Sequence, residues 1–509
     1  MYSPFLKPVE AKKLLLVNVA SAILYFVSLF FFQIGNVYLF SLLIFVGVFY
    51  LWQLLTLVHA AWQTKTSHPF DSNYKQPVDI YITVAGEPCS VVKETIDAAL
   101  NIDYPFFNVY ILNDGKVANK PNWRQIEELV EQYGPKVHCI TRDVPGGAKA
   151  GNINNALNQT DSPFIAILDC DHKPAPMFLD KMIGYFVDER VGFVQSPQYY
   201  HNNTASYVAN AAWQQQTLFF GPICRGKDRL NAQFMCGTNM VIRRKALVDV
   251  GGMCDKSITE DLLTSILMHT RGWKSVYVPM ILAYGLAPED LGSFWQQQYR
   301  WARGSLEVLI KYNPLVIKGL SVGQRIQYMA SVTYYLTGLI VLIGAAMPLM
   351  YFFTGVVPLS STTLAIGLVF LPYIFLTLYS LQRISNFAFS FRAIAFSIGC
   401  WPIFCLAFLA SILRLPSSFK VTAKEREDGS YLRLASLHLL YFAAVISGIT
   451  YSAMKYGVTM ALVVNTCWAL IYVVLFLPFV RAAMSQSMAD RLPLNKFKMP
   501  SEDVANEPV

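Results

Sequence analysis

Two aspartates separated by one residue, Asp169-Cys170-Asp171, close the apolar run Phe164-Ile-Ala-Ile-Leu168. A short apolar run of this kind reads as a buried strand, so both carboxylates leave it at its tip, on one side of the chain. They can reach the same hard cation: Mg²⁺ takes oxygen ligands and is usually held by one or two carboxylates together with substrate phosphates. Taken alone, the pair reads equally well as a solvated turn. Asn113-Asp114-Gly115 repeats the arrangement after Val109–Leu112. Gly146-Gly147-Ala148-Lys149-Ala150-Gly151-Asn152 is a glycine-rich turn opening a helix, with a lysine suited to a phosphate charge. It lacks the spacing of a Walker A loop.

Thr259-Glu260-Asp261 opens a helical pattern. Its blandest reading is a helix cap with acids complementing the helix dipole. Gln297-Gln298-Tyr299-Arg300-Trp301 is harder to explain that way. On a helix, Gln297, Arg300 and Trp301 fall at i, i+3 and i+4 and share a face. A guanidinium suits a diphosphate, and an indole offers a flat apolar surface for a sugar ring. The competing reading is an interfacial aromatic-basic anchor.

These groups must be positioned by two kinds of element. Between residues 70 and 320 short β-rich runs alternate with helical patterns: Val78–Val84, Val91–Leu100, Phe107–Leu112, Trp123–Tyr133, Val137–Thr141 and Phe164–Leu168. Such alternation predicts a mostly parallel sheet flanked by helices, with ligands at the carboxyl ends of the strands. The rest is membrane-like. The 509 residues are 54% hydrophobic and 15% charged, with a mean hydropathy of +0.37, against about 25% charged in soluble chains. Nine cysteines without a CxxC pair argue against a disulfide framework or a zinc site. The net charge of +8 has no basic block interleaved with aromatics, so it reads as a topology signal and no nucleic-acid partner is expected.

Apolar runs at 14–32, 37–59, 329–353, 362–381, 393–413, 434–454 and 458–480 are long enough to cross a bilayer. Lys7, Lys12 and Lys13 precede the first and Lys65 follows the second, which predicts a hairpin with both ends cytoplasmic. Arg383 and Arg392 precede 393–413, and Arg414, Lys420, Lys424, Arg426 and Arg433 follow it. Positive charge on both flanks predicts an interfacial or re-entrant helix there, leaving six crossings with both termini inside. The expected organisation is a transmembrane hairpin over 1–70, a cytoplasmic domain over 71–325, a hairpin over 326–382, an interfacial helix and loop over 383–433, a hairpin over 434–482 and a short cytoplasmic tail over 483–509.

Asp169-Cys-Asp171, Thr259-Glu-Asp261 and Gln297-x-x-Arg300-Trp301, in that order after Lys149-Ala-Gly-Asn-Ile-Asn, resemble the processive family 2 glycosyltransferases, and most closely the cellulose synthase catalytic subunits. Phe419-Lys-Val-Thr-Ala-Lys424 is similar to their FxVTxK gating loop, and Phe234-Met-Cys-Gly-Thr-Asn239 to their acceptor-contacting loop. The resemblance covers roughly residues 75–430. It implies a GT-A fold, α/β in class, inserted in a polytopic helical membrane region of the plasma (inner) membrane. Its implied donor is a UDP-sugar, its cofactor Mg²⁺ or Mn²⁺, and its product a growing β-linked polysaccharide, cellulose-like glucan being favoured, exported through the chain's own channel.

By the same resemblance Glu87, Asn113 and Asp114 contact uracil, Lys149 and Asp169 hold the nucleotide, and Asp171 with Asp169 binds the metal. Asp261, within Thr259-Glu260-Asp261, is the general base of an inverting transfer. Gln297 and Arg300 stabilise the leaving diphosphate, Trp301 stacks the terminal sugar beside Cys236 and Gly237, and Thr422 and Lys424 close over UDP. Three segments depart from the family pattern: Asn113-Asp114 replaces two aspartates, Gly147 a histidine, and Val84-Ala-Gly-Glu87 the usual Thr-Tyr-Asn-Glu. The stretch after the last span is too short for a cyclic-di-GMP-binding domain, so such control is expected from another chain, and an accessory export subunit is a further candidate partner. The competing functions are a hyaluronan- or chitin-type synthase, a non-processive lipid-linked glycosyltransferase and a transporter without chemistry.

Overall fold

The computed structural model describes residues 6–63, 65–360, 363–416 and 429–484. Ten strands form: β1 (Val78–Val84), β2 (Phe107–Asn113), β3 (Val137–Thr141), β4 (Phe164–Asp169), β5 (Lys173–Pro174), β6 (Val191–Gln195), β7 (Tyr199–Tyr200), β8 (Met240–Arg243), β9 (Lys274–Tyr277) and β10 (Ala283–Gly285). Seven make the main sheet, in the order β3-β2-β1-β4-β8-β6-β9, and β5-β10-β7 make a small one. The first four strands of the main sheet are parallel, as their alternation with helices requires. β8 is antiparallel to both β4 and β6, which leaves the sheet mostly parallel, as expected.

β1 and β4 lie inside the sheet and are covered by helices on both faces, which is why they read as nearly continuous apolar runs. The one charge inside β1, Asp79, is 1% exposed. It is neutralised by Arg244 at 3.0 Å and accepts from Ser162 Oγ at 2.7 Å. The register places Val84 opposite Asn113, Thr83 opposite Asp169, and Asn113 opposite Thr141. The polar ends of four strands are thereby brought to one edge of the sheet.

Seven helical stretches among the described residues are long and apolar enough to cross a membrane: Lys12–Phe31, Val37–Ala61, Val322–Thr354, Ala365–Ile384, Phe391–Ile412, Leu432–Tyr456 and Met460–Ala483. The third begins earlier than the hydropathy suggests. A helix over Val322–Thr333, opened by a Ser321/Gln324 capping box, meets the apolar helix Thr337–Thr354 across a short 3-10 turn. The fifth stretch is two helices, Phe391–Gly399 and Trp401–Ile412, meeting at Cys400. It is 67% buried within the protein, against 11–39% for the other six, so it is shielded from lipid along most of its length. Between the first and fourth stretches, Asn18 donates to Ser380 Oγ at 3.2 Å and accepts from Thr377 Oγ1 at 3.0 Å. Such a polar clip between apolar helices fixes their rotation.

The sheet and its helices are keyed to these stretches through the short helix Cys224–Arg229. Asp228 accepts from Tyr277 N at 2.8 Å and pairs with His68 at 2.9 Å, in the stretch following Val37–Ala61. Arg229 donates to His59 O at 2.8 Å, and Lys227 donates to Gln327 O at 3.0 Å, on the Val322–Thr333 helix.

Candidate active site

The carboxyl ends of the parallel strands carry the motifs. Asp169 is the last residue of β4, and its backbone N–H donates to Thr238 Oγ1 at 2.9 Å. Its carboxylate pairs with Lys149, in the first turn of the helix Ala148–Leu157, and Lys149 also donates to Gly237 O at 2.7 Å. Burial pulls the Lys149 ammonium down, but Asp169, Glu260 and Asp261 around it prevail and hold it above its ordinary value.

Asp261 stands in the first turn of the helix Glu260–Thr270. Of the capping reading, the acids Glu260 and Asp261 do stand in the first turn, but Thr259, at the N-cap, makes no side-chain cap. A Cβ built on Gly237 would lie 3.3 Å from Asp261 Oδ2 and 3.8 Å from Lys149 Nζ. Gly237 has φ +81, a left-handed conformation that favours glycine, so conformation and space both specify it. Burial, then the neighbouring charge of Glu260, push Asp261 up to about 7. Burial also raises Glu260, and the charges of Lys149 and Arg300 oppose the rise.

Gln297, Arg300 and Trp301 are half-buried on the helix Leu291–Lys311. One turn on, Gly304 packs against Thr259, where a Cβ would meet Thr259 Cγ2 at 2.4 Å. The absence of a side chain at Gly304 lets this helix run directly beside Thr259-Glu260-Asp261. Cys236 is held from the end of β6: its N–H donates to Gln195 Oε1 and its carbonyl accepts from Gln198 Nε2, both at 2.8 Å. Met235 N donates to Ser265 Oγ on the Glu260–Thr270 helix at 2.9 Å.

Asp169, Asp171 and His172 bring one ligand atom each to within 4.8 Å of one another. His172 is 4% exposed; its Nδ1 lies 3.4 Å from Asp171 Oδ1, while its Nε2 is packed against Gly285 and has no hydrogen-bond partner among the described residues. Two carboxylates and an imidazole of this kind fit a divalent cation. His172 was missed in the sequence, although it directly follows Asp171.

At the expected base pocket, Asn113 is fully buried and committed to its turn: Nδ2 donates to Trp123 O at 2.8 Å and Oδ1 accepts from Gly115 N at 3.0 Å. Asp114 is 7% exposed and accepts from Arg142 Nε at 2.5 Å and from its NH2 group at 2.7 Å. Burial raises Asp114, and Arg142 opposes the rise. Arg142 also donates to Gly146 O and Ala148 O, so it braces the glycine-rich turn as well. Glu87 accepts from Ala85 N at 2.6 Å. Arg142, Gln195 and Gln198 are contributions that only tertiary pairing reveals. Thr422 and Lys424 lie outside the described residues. Leu415 O accepts from Arg303 at 2.7 Å and Tyr431 packs on Gly292, both on the helix that carries Arg300.

The family model described as glycosyltransferase-like family 2 matches residues 76–304, and that of cellulose synthase matches residues 248–395. The cellulose synthase catalytic subunit [UDP-forming] of Komagataeibacter sucrofermentans is 30% identical over 422 residues, 78% of this chain and 55% of the relative. Its counterpart in Pseudomonas fluorescens is 30% identical over 446 residues, 83% and 58% of the two chains. The chain thus spans little more than half the length of these curated relatives. Among solved structures, a mannosyltransferase from Pyrobaculum calidifontis in complex with GDP-Man and Mn²⁺ superposes with a TM-score of 0.53 at 14% identity, covering 74% of this chain and all of the other. That likeness shows the fold, a GT-A-type sheet with flanking helices.

Proposed function

We propose that the chain, similar over residues 76–304 to glycosyltransferase-like family 2 and over most of its length to bacterial cellulose synthase catalytic subunits, is a glycosyltransferase that polymerises a β-linked glucan from UDP-glucose. One observation carries the reading: Lys149 joins Asp169 to the Gly237 carbonyl, and Asp261 Oδ2 stands 3.3 Å from the space above Gly237. The group that binds a phosphate-linked donor and the group that takes a proton are within one acceptor's reach.

Asp261 accepts the proton of an acceptor hydroxyl as that oxygen forms its bond to the anomeric carbon. The bond from that carbon to the diphosphate breaks on the opposite face, UDP leaves, and an α-donor yields a β-linkage. Lys149, Gln297 and Arg300 bind the diphosphate oxygens. Uracil lies over the ends of β1 and β2 against Glu87 and Asp114, with Asn113 behind them holding the turn. Asp169, Asp171 and His172 would hold a divalent cation, whose contribution is to neutralise diphosphate charge. The seven apolar helices make this an integral membrane protein. The product leaves through them, and the soluble domain faces the cytoplasm.

Incorporation of radiolabel from individual UDP-sugars into ethanol-insoluble polymer tests the reading, with UDP-glucose expected to label it. Label from UDP-N-acetylglucosamine would reassign the chain to the chitin or hyaluronan type. A product soluble in organic solvent would make it a non-processive, lipid-linked transferase. UDP-glucose exchange without UDP release would leave only a transporter.

Trp301→Ala is expected to abolish long polymer while leaving UDP affinity within a few-fold, because the indole serves the acceptor. Arg300→Ala should weaken UDP as well, since a charge-assisted bond is worth about 1.5–3 kcal/mol. Calorimetric UDP titration and product sizing on both variants decide this. Equal losses of UDP affinity would place Trp301 in the nucleotide site or the core.

Six crossings remain the proposed topology, with 393–413 at the interface and both flanks cytoplasmic. Cysteines introduced at Ser417 and Ser430 are then expected to resist an impermeant maleimide in sealed right-side-out cells. Labelling of either from outside would turn 393–413 into a crossing.

A further inference from the structure

Lys227 is 2% exposed and, among the described residues, makes no ion pair. The adjacent carboxylate, Asp228, is turned to His68 and Tyr277. The Lys227 ammonium instead donates to Gln327 O at 3.0 Å and to Ser331 Oγ at 2.6 Å, and sits 5.0 Å from the centroid of the Phe234 ring. Ser331 Oγ donates in turn to Gln327 O at 3.0 Å, leaving its oxygen to accept from the lysine. A buried charge without a counter-ion is costly, and burial pulls this one down to about 8. A methionine would fill the same volume without that cost.

Phe234 begins the loop whose later residues reach the reacting groups: Gly237 O accepts from Lys149, and the Gly237 backbone borders Asp261. The turn of helix that receives Lys227 also receives the Asp261 helix, because Tyr328 OH lies 2.7 Å from His269 Nδ1. We infer that Lys227 is a positioning residue for sugar transfer, fastening Phe234 and the loop up to Asn239 onto the Gln327–Ser331 turn that also anchors the helix of the base. The cation holds the loop at one end as Lys149 holds it at the other. Acceptor loop and base helix therefore share one footing, on the helix that leads into the membrane at Val322. The inference rests on the glycosyltransferase reading above.

Full-length protein in membranes tests it, with UDP titrated in the presence of Mg²⁺ and polymer sized after incubation with UDP-glucose. Lys227→Met is expected to keep UDP affinity within about threefold of wild type and to lower polymer yield and length about tenfold, the scale of a desolvated cation–π contact. Lys227→Arg should restore most of the polymer, because it returns the cation, and Phe234→Leu should reproduce the methionine phenotype. Normal polymer from Lys227→Met, or a parallel loss of UDP affinity, overturns the inference. Where the methionine variant fails to accumulate, Phe234→Leu carries the test, and normal polymer from it is equally fatal. Wild-type membranes that make no polymer from UDP-glucose overturn the underlying reading, whatever the variants do.

Discussion

Asp261→Asn is expected to leave UDP affinity nearly unchanged and to lower polymer yield by about 10²–10⁴-fold, the usual cost of a lost general base. The amide keeps the shape of the carboxylate and can still accept from Leu262 N, as Asp261 Oδ1 does at 2.7 Å, but it cannot take a proton from the acceptor. The pH profile offers an independent check. Burial and Glu260 push Asp261 up to about 7, so the working, ionised form is lost as pH falls through that value. The rate should drop on the acid side near neutrality, and because Glu260 is coupled to it, the limb belongs to the pair. A variant retaining more than a tenth of the polymer yield at wild-type protein level would remove Asp261 from the role of base.

The second large effect is expected at Asp171. Asp171→Ala, or excess EDTA on the wild-type protein, should abolish turnover and with it the metal-dependent part of UDP affinity. Asp171 is 2% exposed beside His172, and Asp169 is already shared with Lys149. Removing Asp171 therefore leaves the cation position with one shared carboxylate and an imidazole. Calorimetry with UDP, with and without Mn²⁺, separates this from a folding defect: metal-independent UDP binding should persist through Lys149 and Arg300. Full activity in EDTA, or an alanine variant whose UDP affinity still responds to metal, would count against the site.

Several elements and the placement of their motifs were legible in the sequence. β1 and β3 have the boundaries that their apolar patterns predict, and the Asp169, Asp261 and Arg300 motifs fall on a strand end, a helix start and a helix face, as their spacing requires. These depend on local periodicity, which a sequence carries directly. The Asp114–Arg142 pair was not legible, because its partners lie just past the ends of the adjacent strands β2 and β3 and nothing local selects one arginine among many. β8 escaped for a related reason: Met240–Arg243 has only four residues, and its antiparallel place between β4 and β6 is a decision of the whole sheet. The Cys400 break was hidden inside a continuous apolar run, where hydropathy is blind to an interruption of the helix.

The strand order also has a consequence for how the protein is made. β1 pairs with β2 and β4, β4 pairs with β8 in turn, and the sheet is completed only by β9, so the sheet begun at β1 stays open while about 190 further residues are made, roughly 10–40 s at ~5–20 residues per second. Throughout that interval the two N-terminal helices, Lys12–Phe31 and Val37–Ala61, have already emerged. The nascent domain therefore folds as a leashed chain, anchored beside the bilayer with a growing apolar sheet edge exposed. Tethering keeps that edge away from other incomplete copies in bulk solution. It also fixes the sequence of assembly: His68 and His59 are in place before Asp228 and Arg229 arrive to grip them. Substitutions of Asp228 or Arg229, the two residues that grip His68 and His59, are therefore expected to appear first as a loss of newly made protein to quality-control proteolysis.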